Sequence, residues 1–324
     1  MGKRARRGGS REKEGQEEGA PRLRVLTAVA VAALASGVLG LLALARGGPR
    51  PAQGDGSAVS RSLRLEELQP GPVRRVSCHA KSYRPIVPGC TPAPNDCGFR
   101  IVDGLISQEE VDALRKIAQR GMALGGGAGG PTILDLHSGA LSLEDKFIDV
   151  WMAFNLSRRK AYTQSELLVY HEVTQRLAAE VEATFGVSGV MLTSPTFFSR
   201  ISADRPPRIP NDEYWHSHID KQQYGSFVYT VLLYLSDQGV DFEGGSLCFD
   251  SPKTKRAVSR VAPHPGRAVL FTSGEEHPHH VEQVTSGSRL ALTVAFTCNP
   301  DTAIHNFLGR ALPDEGSSNS DTNG

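Results

Sequence analysis

The stretch "GRAVLFTSGEEHPHHVEQVTSGSRLALTVAFT", residues 266–297, decides the fold. Apolar, β-branched and aromatic residues dominate both of its ends, and His277, His279 and His280 lie between them. Short runs of this composition, divided by Gly, Pro and Asp, are typical of β-strands. The stretch therefore predicts two strands, with a group of histidines placed just before the second.

Further runs of the same kind precede this stretch, from Thr196 onward. They are "TFFSRISA", "SFVYTVLLYLS" and "GSLCFDS". Many short strands at close spacing indicate a sandwich or barrel, in which each strand turns one face to the core. We expect an α+β protein whose main part, residues 196–300, is a jelly roll of about eight strands, with helices from residues 98–195 packed on it.

Two helices are predicted between residues 98 and 195. The first follows a capping-box pattern, Ser107 with Glu110, and ends in glycines. The second occupies "TQSELLVYHEVTQRLAAEVEATFG" and ends at Gly186. Its apolar residues recur at helical spacing and are expected to form the buried face: Leu167, Leu168, Val173, Leu177 and Val181.

The N-terminal part of the chain predicts a membrane anchor. Residues 25–45 contain no charged side chain and are long enough, as a helix, to cross a hydrocarbon core of about 30 Å. A cleaved signal peptide has a shorter apolar region, and the charged flanks argue against a buried core helix. Basic residues are concentrated upstream, in residues 1–24, so we expect this disordered tail to be cytoplasmic. The rest of the chain is then lumenal, in a single-pass type II membrane protein of the endoplasmic reticulum or Golgi.

Two flanking segments are expected to lie outside the main fold. Residues 46–97 are rich in Gly, Pro and Ser, which predicts a lumenal stalk, with folding beginning near Phe99. Residues 301–324 are expected to form a C-terminal tail. Within the helical region, the sequon at Asn155 predicts glycosylation on the lumenal side.

The five cysteines divide into two groups. Cys78, Cys90 and Cys97 lie close together in the expected stalk, where an oxidising lumen favours a disulfide staple and one of the three has no local partner. Cys248 and Cys298 lie in apolar runs, so we expect both to be buried thiols.

The overall charge gives no sign of an anionic partner. Lys and Arg number 36 and Asp and Glu number 35, so the net charge is close to zero. Domains that bind nucleic acid usually carry a clear basic excess. We therefore expect no nucleic-acid partner.

A metal site is predicted by His218 and Asp220. They are two positions apart in "HSHID", so an extended backbone turns both side chains to one side. An H-x-D tripeptide alone is more often a surface pair, but a later histidine would complete a two-His, one-carboxylate facial triad, which suits Fe(II). The preceding residues 214–216, Tyr-Trp-His, are expected in a solvated loop at the mouth of this site. The candidates for the third ligand are His277, His279 and His280.

The histidine stretch, the H-x-D and "YTVLLYLSDQGVDFEGGSLCF" together resemble the 2-oxoglutarate- and Fe(II)-dependent oxygenases. The likeness is to the prolyl hydroxylase branch, especially the leprecan-like prolyl 3-hydroxylases, and covers roughly residues 196–300. It implies that the jelly roll is the double-stranded β-helix of that family.

The family pattern chooses among the three histidines. In it the iron ligand precedes hydrophobic residues by two and five positions, a glycine by eight and the co-substrate's basic residue by ten. His279 alone meets all four conditions. The matching residues are Val281, Val284, Gly287 and Arg289. The resemblance therefore implies that His218, Asp220 and His279 hold the iron.

The same resemblance implies a co-substrate pocket and an activity. Arg289 would bind the distal carboxylate of 2-oxoglutarate with its guanidinium fork. Tyr234 and Thr293 would donate hydrogen bonds from their hydroxyls to that carboxylate. The implied enzyme hydroxylates a protein side chain, Pro or Lys, in a protein of the secretory pathway. It would consume O₂ and 2-oxoglutarate and release succinate and CO₂, with L-ascorbate as an expected further cofactor.

A binding module without catalysis is the alternative. In it, His218, Asp220 and His279 would hold a structural Zn²⁺, which takes a fourth protein ligand. The histidines available for that position are His216, His277 and His280. The presence of Arg289 in register with His279 favours the enzyme.

Overall fold

Two β-sheets face each other across an apolar interior, and helices cover the outer face of the larger sheet. The structure is a computed structural model that describes residues 65–209 and 212–305. The strands β1 to β15 are, in order, Glu66–Glu67, Arg74–Val76, Cys97–Val102, Gly126–Gly127, Thr132–Leu134, Ala140–Glu144, Lys146–Asp149, Met191–Ser202, Tyr229–Tyr234, Phe242–Gly244, Leu247–Asp250, Ala257–Val261, Ala268–Thr272, His279–Val281 and Val284–Thr297. The helices α1 to α4 are Gln108–Met122, Val150–Ser157, Gln164–Phe185 and Asp220–Tyr224, and a short 3-10 helix spans Pro300–Thr302.

The strand order is that of a jelly roll, in which strands from distant parts of the chain are neighbours. The larger sheet runs β2-β3-β13-β9-β15-β8-β5-β6-β4, with β10 paired to β15 and β7 paired to β6. The smaller sheet runs β1-β12-β11-β14. All pairs are antiparallel among the described strands except β1 with β12 and β4 with β6. The predicted α+β jelly roll with packing helices is confirmed, with more strands than expected.

The central strand β15 contributes to two apolar layers. Leu290, Leu292 and Val294 pack in the layer between the larger sheet and the helices. Ala291 lies in the layer between the two sheets, together with Tyr234 of the neighbouring strand β9. Successive residues of a strand face opposite sides, so the odd-numbered residues of β15 line the space between the sheets. Arg289 is one of them.

Helices α1 and α3 form where the sequence predicts them. The Ser107 hydroxyl accepts a hydrogen bond from the backbone of Glu110, and the Glu110 carboxylate accepts one from the backbone of Ser107, so the capping box is complete. α3 begins with the same motif at Thr163 and ends at Gly186, whose φ of 68° favours glycine. The predicted buried face is confirmed except at Leu168, which is 37% exposed because it lies a step around the helix from Leu167.

The helix α2, the short helix α4 and the strands β4–β7 were outside the sequence prediction. α2 has only eight residues, and Asp149 caps it by accepting hydrogen bonds from the backbone of Trp151 and Met152. β4–β7 have between two and five residues each. Elements this short show no measurable period, so pattern alone cannot reveal them.

Folding begins earlier than the predicted stalk allows. β1 pairs with β12 in the smaller sheet, and β2 pairs with β3 in the larger one. Leu68 is buried between the sheets. Residues 65–97 therefore belong to the domain rather than to a stalk, because their backbone groups extend both sheets.

Residues 78–97, called the strap below, are held by two disulfides. Cys78–Cys97 closes the strap on itself, and Cys90–Cys298 joins it to the end of β15, 208 positions along the chain. The prediction of a thiol at Cys298 is therefore wrong. Pairing depends on two backbones meeting in space, which the local sequence does not report. Cys248 is a free buried thiol, as predicted.

The predicted membrane anchor, residues 25–45, lies outside the described residues, as do the cytoplasmic tail, much of the expected stalk and most of the C-terminal tail. Within residues 65–209 and 212–305, no helix has the length and apolar character to cross a membrane. The anchor and its orientation stay predictions.

Candidate metal centre and co-substrate pocket

His218, Asp220 and His279 come together at one end of the jelly roll. One ligand atom from each lies within 4.8 Å of the others. The backbones of His218 and His279 exchange two hydrogen bonds of 2.9 Å, which brings the H-x-D segment beside β14. The Nε2 atoms of both imidazoles are 3.6 Å from Oδ1 of Asp220. Asp220 and His279 are buried and His218 is half-buried, so the cluster is reached from one side.

Both imidazoles are oriented through their other nitrogen. Nδ1 of His218 is 3.1 Å from the carbonyl oxygen of His216, and Nδ1 of His279 is 3.0 Å from that of His277. A carbonyl oxygen only accepts, so each Nδ1 carries the proton and each Nε2 presents a lone pair to the cluster. Burial lowers the pKa of His279 to about 4, against the opposing effect of Asp220, which keeps this ring neutral at physiological pH.

The carboxylate of Asp220 is oriented by residues that the sequence did not single out. Its Oδ2 accepts a hydrogen bond of 2.7 Å from the hydroxyl of Thr230. The Thr230 and Ser273 hydroxyl oxygens are 2.9 Å apart. A hydroxyl within a predicted strand carries no signal of this role, because only the packing of β9 against the H-x-D segment creates it. Outer partners of this kind normally fix the orientation of a metal ligand.

The donor set fits Fe(II). Two neutral imidazoles and one carboxylate are the facial triad that leaves coordination positions open. Among residues 65–209 and 212–305, these three residues alone form such a cluster. The histidines proposed as a fourth zinc ligand lie elsewhere: His216 contacts Glu213, His277 contacts the Thr272 carbonyl and His280 contacts Asp250. The geometry therefore favours an open site over a closed structural one.

His280 faces away from the cluster, on the other side of β14 from His279. Its Nδ1 is 3.0 Å from Oδ2 of Asp250, a carboxylate with no exposed side-chain surface. It stands opposite Cys248 on the neighbouring strand. Adjacent strand residues alternate, so only one of these two histidines can face the cluster.

Arg289 is the most unusual buried group near this site. Its residue surface is 1% exposed, and no carboxylate of the described residues forms an ion pair with it. Nε donates a 2.9 Å hydrogen bond to the carbonyl of Gly245, but Nη2 is buried without a partner in this part of the chain. A buried cation without an anion is costly, so the pocket fits a ligand that brings its own carboxylate.

Tyr234 lies against Arg289 as predicted, and Thr293 lies on the same side of β15. The Arg289 guanidinium is 5.2 Å from the centre of the Tyr234 ring. The Tyr234 hydroxyl is also buried without a partner among the described residues. Burial raises the pKa of Tyr234 to about 12, so the hydroxyl keeps its proton and can donate. Thr293 is half-buried and four residues from Arg289, hence on the same face.

Tyr214 is a pocket residue that the sequence placed in a solvated loop. Its hydroxyl accepts a 2.8 Å hydrogen bond from the backbone of Val284. Its ring packs with a small apolar cluster built from Ile201, Phe242 and Val284. The nearby charge of Arg289 opposes the rise that burial causes in the Tyr214 pKa. Tyr214 therefore helps to close the pocket around Arg289, while His216 stays exposed as expected.

Comparison with known proteins identifies the family. Residues 208–297 match the model of the 2OG-Fe(II) oxygenase superfamily. The chain is 44% identical over 218 residues to the mouse (Mus musculus) protein named 2-oxoglutarate and iron-dependent oxygenase domain-containing protein 3, covering 67% of each. The chain belongs to the 2-oxoglutarate- and Fe(II)-dependent oxygenase superfamily. This oxygenase is accordingly a 2-oxoglutarate-dependent dioxygenase, with Fe(II) and 2-oxoglutarate as its cofactors.

Two more distant likenesses concern prolyl hydroxylases. The oxygenase is 28% identical over 220 residues to prolyl 3-hydroxylase 1 of Gallus gallus, covering 62% of this chain and 29% of that protein. A crystal structure of a Pseudomonas putida prolyl-4-hydroxylase covers 63% of this chain and 94% of its own, with 18% identity and a TM-score of 0.42.

Proposed function

We propose that this protein is a membrane-anchored, Fe(II)- and 2-oxoglutarate-dependent dioxygenase that hydroxylates a Pro or Lys side chain of a protein in the secretory pathway. One observation carries the proposal. The open cluster of His218, Asp220 and His279 shares its domain with Arg289, a buried cation whose Nη2 has no partner among the described residues. A metal that keeps open positions and a dicarboxylate co-substrate would complete both sites together.

The residues have separate tasks in this proposal. His218, Asp220 and His279 would hold Fe(II), which supplies the activation of O₂ when it is bound. Arg289 and Tyr234 would bind the distal carboxylate of 2-oxoglutarate and so orient its keto acid end. The Thr293 hydroxyl would donate a further hydrogen bond to that carboxylate. Burial of the pocket excludes bulk water from the oxidation. Overall, O₂ and 2-oxoglutarate are consumed, succinate and CO₂ leave, and one substrate C–H becomes C–OH.

The substrate class is supported by relatives rather than by the site itself. The likeness to prolyl 3-hydroxylase 1 favours a prolyl side chain, with lysyl as the second choice, and makes ascorbate an expected additional cofactor. The chain spans less than a third of that relative, so its partners do not carry over. The site residues serve the reaction that the whole superfamily shares, whereas the loops at the mouth of the site select the substrate.

The lumenal location is supported by the covalent chemistry of the domain. Two disulfides persist in an oxidising compartment and are rare in the cytosol of most organisms. The sequon residue Asn155 is exposed on α2, where an N-linked glycan could be accommodated. Residues 25–45, uncharged and preceded by basic residues, would supply the anchor.

The test uses the full-length protein, purified in detergent without oxygen and loaded with Fe(II). We expect metal-dependent binding of 2-oxoglutarate, and succinate release that increases when Pro- or Lys-containing secretory peptides are added. Mass spectrometry should find a gain of one oxygen on the peptide. Metal-loaded protein that neither binds 2-oxoglutarate nor forms succinate with any peptide would overturn the proposal.

A further inference from the structure

The turn between β13 and β14, residues 273–277, contacts one proposed iron ligand, His279, and two residues that neighbour or hold a second, Asp220. At its start, the carbonyl of Ser273 accepts a 2.9 Å hydrogen bond from the backbone of Lys221, the residue after Asp220. The Ser273 hydroxyl also contacts Thr230, which holds the Asp220 carboxylate. At its end, the carbonyl of His277 orients the His279 ring at 3.0 Å. A shift of this turn would therefore move both ligands.

The strap holds this turn in place through Tyr83. The Tyr83 hydroxyl donates a hydrogen bond to Oε1 of Glu276 and accepts one of 2.8 Å from the backbone of Gly274. It is thus bonded to two residues of the turn. Tyr83 is 5% exposed, and the side chain of Glu276 is 6% exposed. Hydrogen bonds to a buried carboxylate are strong and directional, so Tyr83 restrains the turn rather than merely covering it.

Further contacts between strap and turn act in the same sense. The backbone of His79 donates a 3.2 Å hydrogen bond to Oε2 of Glu276. The Ser82 hydroxyl accepts a 3.3 Å hydrogen bond from the backbone of Glu275. The packing leaves no room at Gly274, where a Cβ would lie 2.5 Å from both the Tyr83 hydroxyl oxygen and Oε2 of Glu276. The turn is therefore fitted to the strap at several points.

Two disulfides and a hydrogen bond hold the strap in this position. Cys90–Cys298 ties its middle to the end of β15, and Cys78–Cys97 closes its two ends. The hydroxyl of Tyr229, on β9, donates a 2.6 Å hydrogen bond to the carbonyl of Cys90. The Tyr229 hydroxyl thus bonds the strap at Cys90 and not the turn, which makes it a matched control for the Tyr83 hydroxyl.

We propose that the strap is a working part of the metal centre and that Tyr83 is a positioning residue for it. Through Gly274 and Glu276, Tyr83 fixes the 273–277 turn, and the turn fixes the orientation of His279 and Asp220. The inference rests on the proposed function in so far as His218, Asp220 and His279 are taken to hold the metal. Loss of an outer partner of a metal ligand typically weakens metal binding about 10- to 100-fold.

The test compares Tyr83→Phe with Tyr229→Phe in the full-length protein. Each removes one buried hydroxyl that contacts or forms part of the strap, so both should lose a similar, small amount of thermal stability. We expect Co(II) to bind Tyr83→Phe more weakly than wild type, by up to about 10-fold because Tyr83 acts through the turn and not on a ligand directly, with an altered visible spectrum. Tyr229→Phe should keep the wild-type affinity and spectrum. In succinate assays with saturating Fe(II) and no Co(II), Tyr83→Phe should reach most of the wild-type kcat.

The second variant, Glu276→Gln, retains the shape of the side chain but loses its charge and one of its acceptor oxygens. It should weaken Co(II) binding in the same direction, and it serves if Tyr83→Phe does not fold. Wild-type protein that binds no divalent metal would overturn the proposed function and this inference together. Wild-type binding with equal affinities for Tyr83→Phe, Glu276→Gln and Tyr229→Phe would overturn this inference alone.

Discussion

The metal cluster and the Arg289 pocket both bury polar atoms, but the two regions differ in whether those atoms have hydrogen-bond partners. In the cluster, each atom that faces away from the site has a partner: Nδ1 of both imidazoles contacts a carbonyl, and Oδ2 of Asp220 contacts Thr230. In the pocket, Nη2 of Arg289 and the hydroxyl of Tyr234 have none among the described residues. The chain therefore orients its candidate metal ligands by itself, whereas the pocket leaves polar atoms that a bound carboxylate could pair. The comparison makes opposite predictions for variants in the two regions.

The largest effect is expected for Asp220→Ala in the cluster. It removes a charged ligand, so Fe(II) affinity should fall by more than the roughly 100-fold that marks the loss of an outer partner. An anaerobic Fe(II) titration measures it. Asp301→Ala, which removes an exposed carboxylate far along the chain, is the control and should bind as wild type does. Fe(II) binding by Asp220→Ala at wild-type strength would show that the cluster is not the metal site.

The next effect is expected for Arg289→Met in the pocket. Loss of a buried charged partner costs about 2 kcal/mol or more, so affinity for 2-oxoglutarate should drop roughly 30-fold or more while metal affinity is kept. The variant without ligand should be at least as stable as wild type, because an unpaired buried cation has gone.

Thermal unfolding with and without 2-oxoglutarate tests both halves of the Arg289→Met prediction. Wild type, loaded with Mn(II), should be stabilised by 2-oxoglutarate, and the variant should not respond. If the ligand-free variant were several kcal/mol less stable than wild type, Arg289 would serve the fold and the contrast between the two regions would not hold.

A smaller effect is expected for Thr230→Val, which keeps the shape of the side chain. Asp220 would lose the hydroxyl that holds its Oδ2, so metal affinity should fall about 10-fold. Affinity for 2-oxoglutarate, measured at saturating metal, should change little. Thr297→Val, at another buried strand threonine, is the matched control. Equal metal binding by both variants would mean that Thr230 does not orient Asp220.

The smallest effect on the metal is expected for His280→Ala. His280 faces Asp250 on the far side of β14, so metal affinity should stay within about twofold of wild type. Stability should fall by about 1 to 3 kcal/mol, since a buried carboxylate loses its partner. Denaturant unfolding and metal titration separate these two outcomes. Abolished metal binding with intact folding would place the third ligand at His280 instead of His279.

The site residues could be predicted from the sequence where short intervals along the chain match a known pattern. His218 and Asp220 are two positions apart, and Arg289 follows His279 by ten positions, as in the resembling family. Neither pair shares a strand, because Asp220 begins α4 and because His279 and Arg289 lie on β14 and β15 of different sheets, so the family pattern carries these intervals rather than strand geometry. The capping box of α1 could be predicted from the sequence because it depends on residues three positions apart, and the structure shows the same motif at the start of α3.

Contacts between distant segments could not be predicted in this way. Cys90 meets Cys298 across 208 positions, Tyr83 meets Glu276, and Thr230 meets Asp220 only where β9 passes the H-x-D segment. The local sequence predicts a solvated environment for Tyr214, because its hydrogen-bond partner, Val284, is seventy positions away. Each of these residues is of an ordinary type for its local surroundings.

The sequence by itself determined the fold class, which follows from the periods of apolar residues within strands and helices, and its resemblance to the oxygenase family implied the choice of His279 among three neighbouring histidines and the role of Arg289. Only the tertiary structure decided that residues 65–97 belong to the domain, that the strap contacts the 273–277 turn, and that Arg289 has no anionic partner among the described residues. Periodicity follows from the geometry of one strand or helix. Partners of a buried polar atom follow from how several such elements pack, and that is settled only when the whole chain has folded.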